Sequence, residues 1–419
     1  MEYLSCFFLL FIAASFFKFS NKIYGNYFSP LSIQGFIWFF SLGLYSLKII
    51  DYDNLSIKTW AIIIGSFVCF SIGSLFITII FKIKNKNFFS KIDEKKLLRV
   101  IYFLFFIGLI GFLVNVNDIF RRYGLSGIIE SWRYVRGEFG VNFFELPFSM
   151  NILNVPLSFL YINLFKKKRI RVFIIMAFSL LVLPLAFQKT NFIKAIVLTF
   201  FVYVLIKEKV STIKPFIITI CVCLLFFITY WIFSYQRDPY TYYVQNLGFK
   251  IPNKILAYLS QPYTYLSASF PTFQALTEDN AGLEIYRKNY PIGFEVFNPI
   301  YYMLSKFDNS ITSERFLSEV YYIPIGFNVY TYLGNIYKDF GVIGTLIIPF
   351  FIGFVSTLIY LKVVKNGQLA YAFPYSIICW CIFITFFSNH FFYLNNWYFF
   401  LILFLIGKYV VRNHKLKNV

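Results

Sequence analysis

The sequence predicts an all-α, polytopic membrane protein, and three observations carry that expectation. Of 419 residues, 59% are hydrophobic and only 14% are charged, where a soluble domain carries about a quarter charged residues. The apolar residues, 58 Phe among them, fall in long continuous blocks, unlike the alternating strands of about ten residues in a membrane barrel. The basic residues are confined largely to alternate connections between those blocks. Only helices and closed barrels satisfy every backbone polar group in hydrocarbon, so such blocks mean a helical bundle.

Hydropathy places eleven spans, at residues 3–19, 31–50, 59–81, 100–116, 148–165, 172–187, 192–206, 215–233, 340–361, 371–388 and 391–411. The first stretch lacks a basic n-region and a small-residue cleavage site, so it reads as a span. Gln188-Lys189-Thr190-Asn191 reads as a tight turn between two spans. Residues 255–276 are half apolar but rich in Gln, Pro, Tyr and Ser, which predicts loop helix or re-entrant structure. The chain, 1–419, is then a single integral membrane domain with a smaller outer loop at 118–145 and a large one at 234–339.

Charge sets the orientation. The connections at 18–30, 81–99, 166–171, 207–214 and 362–370, with the tail from Lys408, together carry +20, the whole net charge of the chain. The alternate set, 51–58, 118–145 and 234–339, is near neutral. The first set is expected in the cytoplasm, with the N-terminus outside and the C-terminus inside. The basic balance is therefore a topology signal and does not imply nucleic-acid binding. All six Cys lie in apolar runs, and each Cys-x-Cys pair would point to different faces of a helix. Packing is their expected role; no disulfide framework, metal site or cofactor is expected.

Arg and Lys are sorted differently. Of 28 Lys, 19 belong to the cytoplasmic set; of 11 Arg, seven face outward: Arg121, Arg122, Arg133, Arg136, Arg237, Arg287 and Arg315. Orientation alone would not separate them. Arg offers a planar fork that grips phosphate at two points and stays charged when desolvated. An outward set of Arg suits a lipid-linked diphosphate.

The large outer loop ends in Asn328-x-x-Thr331-x-x-x-x-x-Tyr337-x-Asp339-Phe340-Gly341-x-x-Gly344, opening the next span. With the topology and the Arg-bearing smaller loop, this resembles the O-antigen polymerases, the Wzy-type oligosaccharide repeat-unit polymerases. The topology covers the whole chain and the motif about twenty residues. Arg121 to Gly137 also matches an Arg-x15-Gly pattern of some members, whereas Arg237 and Arg287 have no Gly at that spacing. The resemblance implies a GT-C-like bundle and a glycosyltransferase, free of metal and nucleotide sugar, in the bacterial cytoplasmic (inner) membrane. It implies transfer of a growing glycan from undecaprenyl diphosphate onto a new lipid-linked repeat unit, for O-antigen, lipopolysaccharide or capsular polysaccharide. The partners implied are that lipid-linked oligosaccharide, membrane lipids, a chain-length regulator and a flippase.

Glycosyl transfer needs a base or polariser for the acceptor hydroxyl and stabilisation of the departing diphosphate. Arg133 and Arg136, three apart, share a face if helical, as a diphosphate clamp or as headgroup contacts flanked by Trp132 and Tyr134. Arg237 follows a span directly, as a site residue or a partner of Asp238. Arg287 and Arg315 each neighbour acids and are site residues or surface ion pairs. Candidate bases are Glu138, Glu319 and Asp339, with Asp238 also on this side. Asp339 also suits a helix cap at the start of a span. Asn328, Thr331 and Tyr337 are candidates for sugar hydroxyls, on one helix face with Asn335, or they satisfy a half-buried segment. Tyr240, Tyr242 and Tyr243 are candidates for sugar stacking.

Two rival functions stand beside the polymerase. O-antigen ligases resemble this architecture and use an outer-loop His; the one outward His here is His390, outside the large loop. A flippase or other transporter should show internal repeats and mid-membrane charges. No clear repeat is present, and Lys194 is nearly alone inside the spans.

Overall fold

The computed structural model describes residues 2–81, 88–130, 145–185, 189–206, 249–250, 259–305, 307–308, 320–324 and 326–415. In chain order the elements are α1 (Glu2–Tyr24), α2 (Pro30–Ser46), α3 (Ile57–Ile80), β1 (Phe88–Ile92), α4 (Glu94–Glu130), α5 (Glu145–Leu164), α6 (Arg169–Leu185) and α7 (Lys189–Ile206). Then follow α8 (Ser260–Ser267), α9 (Ser269–Glu278), α10 (Asn280–Asn289), α11 (Asn298–Leu304), β2 (Tyr321–Tyr322), β3 (Gly326–Phe327), α12 (Leu333–Val364), α13 (Ala372–Phe383), α14 (Leu394–Val410) and β4 (Val411–Lys415).

This is a membrane-embedded, all-α protein. Among the described residues, four helices, α1, α3, α4 and α12, are long and apolar enough to cross a bilayer. Shorter apolar helices cover Thr190–Ile206, Leu369–Phe383 and Leu394–Val410. The expected span at 215–233 lies outside the described residues. The chain divides into two compact units.

The first unit is Met1–Lys84, Ile228–Lys365 and Cys381–Tyr398. Its frame is α12 laid along α3. A Cβ on Gly73 would stand 2.0 Å from Phe350 O, and one on Gly353 would stand 2.2 Å from Phe70 O. Glycine at both places lets the two backbones touch, as small residues do between membrane helices. The pairs Gly65–Leu346 and Gly73–Phe350 advance together along both helices, so α3 and α12 run parallel. Their first turns therefore lie at one end of this unit. There the helices of the loop pack in: Ser56 N donates to Gln274 Oε1 (2.6 Å) and Lys58 Nζ to Thr277 O (3.0 Å).

Tyr332, fully buried just ahead of α12, ties this unit together. Its hydroxyl meets Ser66 Oγ at 3.0 Å, its N–H donates to Thr385 O at 2.9 Å, and its ring meets Trp38 edge-on at 5.5 Å. These bonds also explain a correction. The span expected at 371–388 is helical only as α13, Ala372–Phe383. Beyond it the Thr385 carbonyl serves Tyr332, and Thr385 Oγ1 accepts from Trp38 Nε1 (2.8 Å) and donates to Gln34 Oε1 (3.0 Å). A tertiary partner thus satisfies the Thr385 carbonyl where an N–H of a continuing helix would have done so.

The second unit is Asn85–Phe227, Asn366–Trp380 and Phe399–Val419. Its frame is α5, which packs against α4, α6 and α7. A Cβ on Gly111 would stand 2.2 Å from Phe148 N, and Asn151 Nδ2 donates to Gly108 O at 3.1 Å. β1 and β4 pair antiparallel, from Phe88↔Lys415 to Ile92↔Val411, and Asp93 bonds Arg412 at 2.9 Å. This pairing joins two stretches that the charge pattern assigns to the same side. α4 is longer than the span expected at 100–116: it runs to Glu130 through a non-helical Gly124. The first part of the loop expected at 118–145 is thus helical, and Arg122 bonds Asp118 one turn back at 2.9 Å. Lys189, Thr190 and Asn191, expected in a turn, already belong to α7.

Candidate functional site

The large loop folds its polar residues onto the first turns of α12. Residues 260–278 form two short helices, α8 and α9, in keeping with the loop helix expected there. α10 follows, capped by Asp279 Oδ1, which accepts from Gly282 N at 2.9 Å. A turn closed by Phe294 N to Pro291 O (3.1 Å) then brings residues 293–296 against α12. Gly293 sits third in that turn with φ +84, the left-handed value that favours glycine there.

Four charged side chains are buried among the described residues: Lys194, Glu295, Lys338 and Asp339. Three of them meet here. Burying charge is costly unless it is paired and hydrogen-bonded, so their company is informative. Asp339 Oδ1 accepts from the Tyr286 hydroxyl (2.6 Å) and from Glu295 N (3.3 Å), and Oδ2 accepts from Val296 N (2.8 Å). Glu295, 4% exposed, accepts at Oε2 from Asn335 Nδ2 at 2.8 Å. Lys338, also 4% exposed, holds Nζ 4.9 Å from the Tyr330 ring and 5.8 Å from the Tyr286 ring. Both distances are within cation–π reach. Arg287, exposed in the last turn of α10, donates from Nε to Lys338 O at 3.4 Å.

Burial first, and then the charge of Asp339, push the Tyr286 hydroxyl above its ordinary range. Tyr286 therefore keeps its proton and serves as donor. The Asp339 carboxylate has three donors for about four acceptor positions, so in this arrangement it holds the turn in place. Glu295 has one oxygen, Oε2, held by Asn335.

Asp339 does not cap α12, as the sequence suggested. That helix starts six residues earlier, at Leu333, and the carboxylate binds N–H groups from the turn before α11. Immediately after it, Gly341 breaks the helix at φ 59, ψ −152, a backbone region nearly confined to glycine. A Cβ there would meet only Arg287 Nη2, at 3.8 Å. Gly341→Ala should therefore cost about 1–3 kcal/mol through the backbone alone. Thermal unfolding in detergent measures this, and an unchanged transition would contradict it.

The other sequence candidates separate. Asn328 is exposed and Thr331 buried, both ahead of α12 and on no helix face with Asn335. Thr331 Oγ1 accepts from Leu333 N at 3.3 Å. Tyr337 is buried against Phe273 at 6.0 Å, with Lys58 Nζ 5.8 Å from its ring, and so is engaged by packing. Arg133, Arg136, Glu138, Arg237, Arg315 and Glu319 lie outside the described residues, as do Tyr240, Tyr242 and Tyr243. Glu295 and Tyr286 were missed from sequence. The available signal was a lone acid inside an apolar run, Gly293-Phe294-Glu295-Val296-Phe297. His390 stacks edge-on with Tyr393 at 4.7 Å, and its carbonyl accepts from Asn396 Nδ2 at 2.6 Å. Comparison with protein-family models, curated proteins and solved structures found no match.

Proposed function

We propose that the protein polymerises lipid-linked oligosaccharide repeat units in a bacterial cytoplasmic membrane, as the resemblance to O-antigen polymerases implies. One observation supports this reading best: an Arg and two buried carboxylates converge where α12 begins. In the proposed reaction a sugar hydroxyl of the incoming unit attacks the anomeric carbon of the carrier-bound glycan. The C–O bond to the diphosphate breaks, the proton passes to a carboxylate, and the carrier leaves as its diphosphate. Glu295 joins Glu138 and Glu319 as a candidate base. Asp339 is a positioning residue, because it fixes the backbone on either side of Glu295. Arg287 carries charge for the diphosphate, together with Arg133, Arg136, Arg237 and Arg315.

The full arrangement proposed has eleven spans, a GT-C-like bundle, the N-terminus outside and the site on the outer face. The parallel course of α3 and α12 fits both helices entering from that face, and the β1–β4 pairing fits a common cytoplasmic end. Deleting the gene tests the function. Loss of a polymerase leaves single repeat units on the final acceptor. Loss of a ligase would leave polymer on the carrier, and loss of a flippase would leave units facing the cytoplasm; either result overturns the reading. Arg237→Lys and Arg133→Ala should each abolish chain growth at unchanged membrane levels, and full-length polymer from both would remove the clamp.

A further inference from the structure

Residues 292–307 carry a second feature that glycosyl transfer does not use. Ile292 is 79% exposed and Phe307 90%, and between them Ile300, Met303 and Leu304 on α11 are exposed as well. Isolated apolar side chains on a surface mean little, but a contiguous group marks contact with another apolar phase. The segment is firmly seated: Phe294, Val296, Asn298 and Pro299 are buried beneath it. The apolar side thus faces outward from a fixed base.

Its place identifies what covers it. Phe297 meets Phe340 edge-on at 6.4 Å. Three residues beyond Phe340 begins a row of exposed side chains down α12, Ile343, Ile347, Phe351 and Val355, at four-residue spacing. Such a row on a spanning helix is a lipid-facing stripe. The apolar side of α11 therefore continues that stripe at its upper end. At the same level Arg287 and Lys288 are exposed in the last turn of α10. Apolar residues beside cations are the composition of a helix lying in a membrane interface.

We infer that α11 and its flanks form an interfacial anchor, with the apolar residues in the acyl boundary of the leaflet at the α12 N-terminus. Lys288, exposed in the last turn of α10, then lies among the phospholipid phosphates. This goes beyond glycosyl transfer and stands whether or not the chain is a polymerase.

The unaltered protein tests it. The full chain is reconstituted in phosphatidylethanolamine–phosphatidylglycerol vesicles containing a phosphatidylcholine with a diazirine on its acyl chain. After irradiation, tryptic peptides are mapped by mass spectrometry. Cleavage at Lys288, Lys306, Lys338 and Lys362 separates peptide 289–306 from the α12 peptide 339–362. Lipid adducts on both peptides are expected, at frequencies within several-fold of each other. Adducts on 339–362 with none on 289–306 would overturn the anchor, because the internal control reports a properly inserted chain. A second copy of the chain covering this face would give that same overturning pattern.

Discussion

Glu295→Gln is expected to lower the rate of chain extension by about 100-fold or more, the usual scale for losing a general base. The amount of protein in the membrane should not change. Gln matches Glu in size, and its carbonyl oxygen still accepts the hydrogen bond that Asn335 Nδ2 now gives to Oε2. The packing around a side chain only 4% exposed is thereby kept, and what disappears is the negative charge and the site for a proton. The measurement is the extension of a synthetic lipid-linked repeat unit by the purified protein in detergent, with thermal unfolding of the same sample. A variant with wild-type stability and wild-type extension would remove Glu295 from the chemistry and return attention to Glu138 and Glu319.

The sequence made the helices legible because burial in lipid leaves a simple signature. Blocks such as 59–81 and 340–361 need no partner to be read, since hydrocarbon itself enforces the helix. What stayed hidden depended on tertiary partners. Nothing local to Thr385 announces that its carbonyl will serve Tyr332, so the end of α13 at Phe383 could not be read from hydropathy. The site was legible in part for the same reason. Asp339 and Arg287 stand out as charges beside a span, and the structure joins them through the Lys338 carbonyl. Glu295 lies 44 positions from Asp339 in sequence and meets it only because Gly293 turns the chain back toward α12. Helix-face reasoning failed for Asn328 and Thr331 because α12 begins after them, at Leu333.

Asp339→Ala is expected to be the most damaging single change to stability in this unit. It strips the acceptor from the Tyr286 hydroxyl and from the N–H groups of Glu295 and Val296. A buried donor left without an acceptor costs about 1–3 kcal/mol. Three such losses, partly relieved where water enters the vacated space, should destabilise the fold by about 3 kcal/mol or more. Asp339→Asn should offer little rescue. Its Oδ1 can still accept, but its NH₂ group then faces the Val296 N–H, donor against donor. Tyr286→Phe removes one donor and leaves the carboxylate bound by both backbone groups, so it should cost less, about 1.5–3 kcal/mol for one charge-assisted bond. Thermal unfolding of the four proteins in one detergent orders them, and a wild-type transition for Asp339→Ala would refute its role in holding the turn at 293–296. Chain extension in the same series separates holding from chemistry. Because Asp339 fixes the backbone at Glu295 and Val296, its loss should lower stability and extension together. Glu295→Gln should lower extension alone. Stability unchanged and extension lost in Asp339→Ala would instead make Asp339 the base.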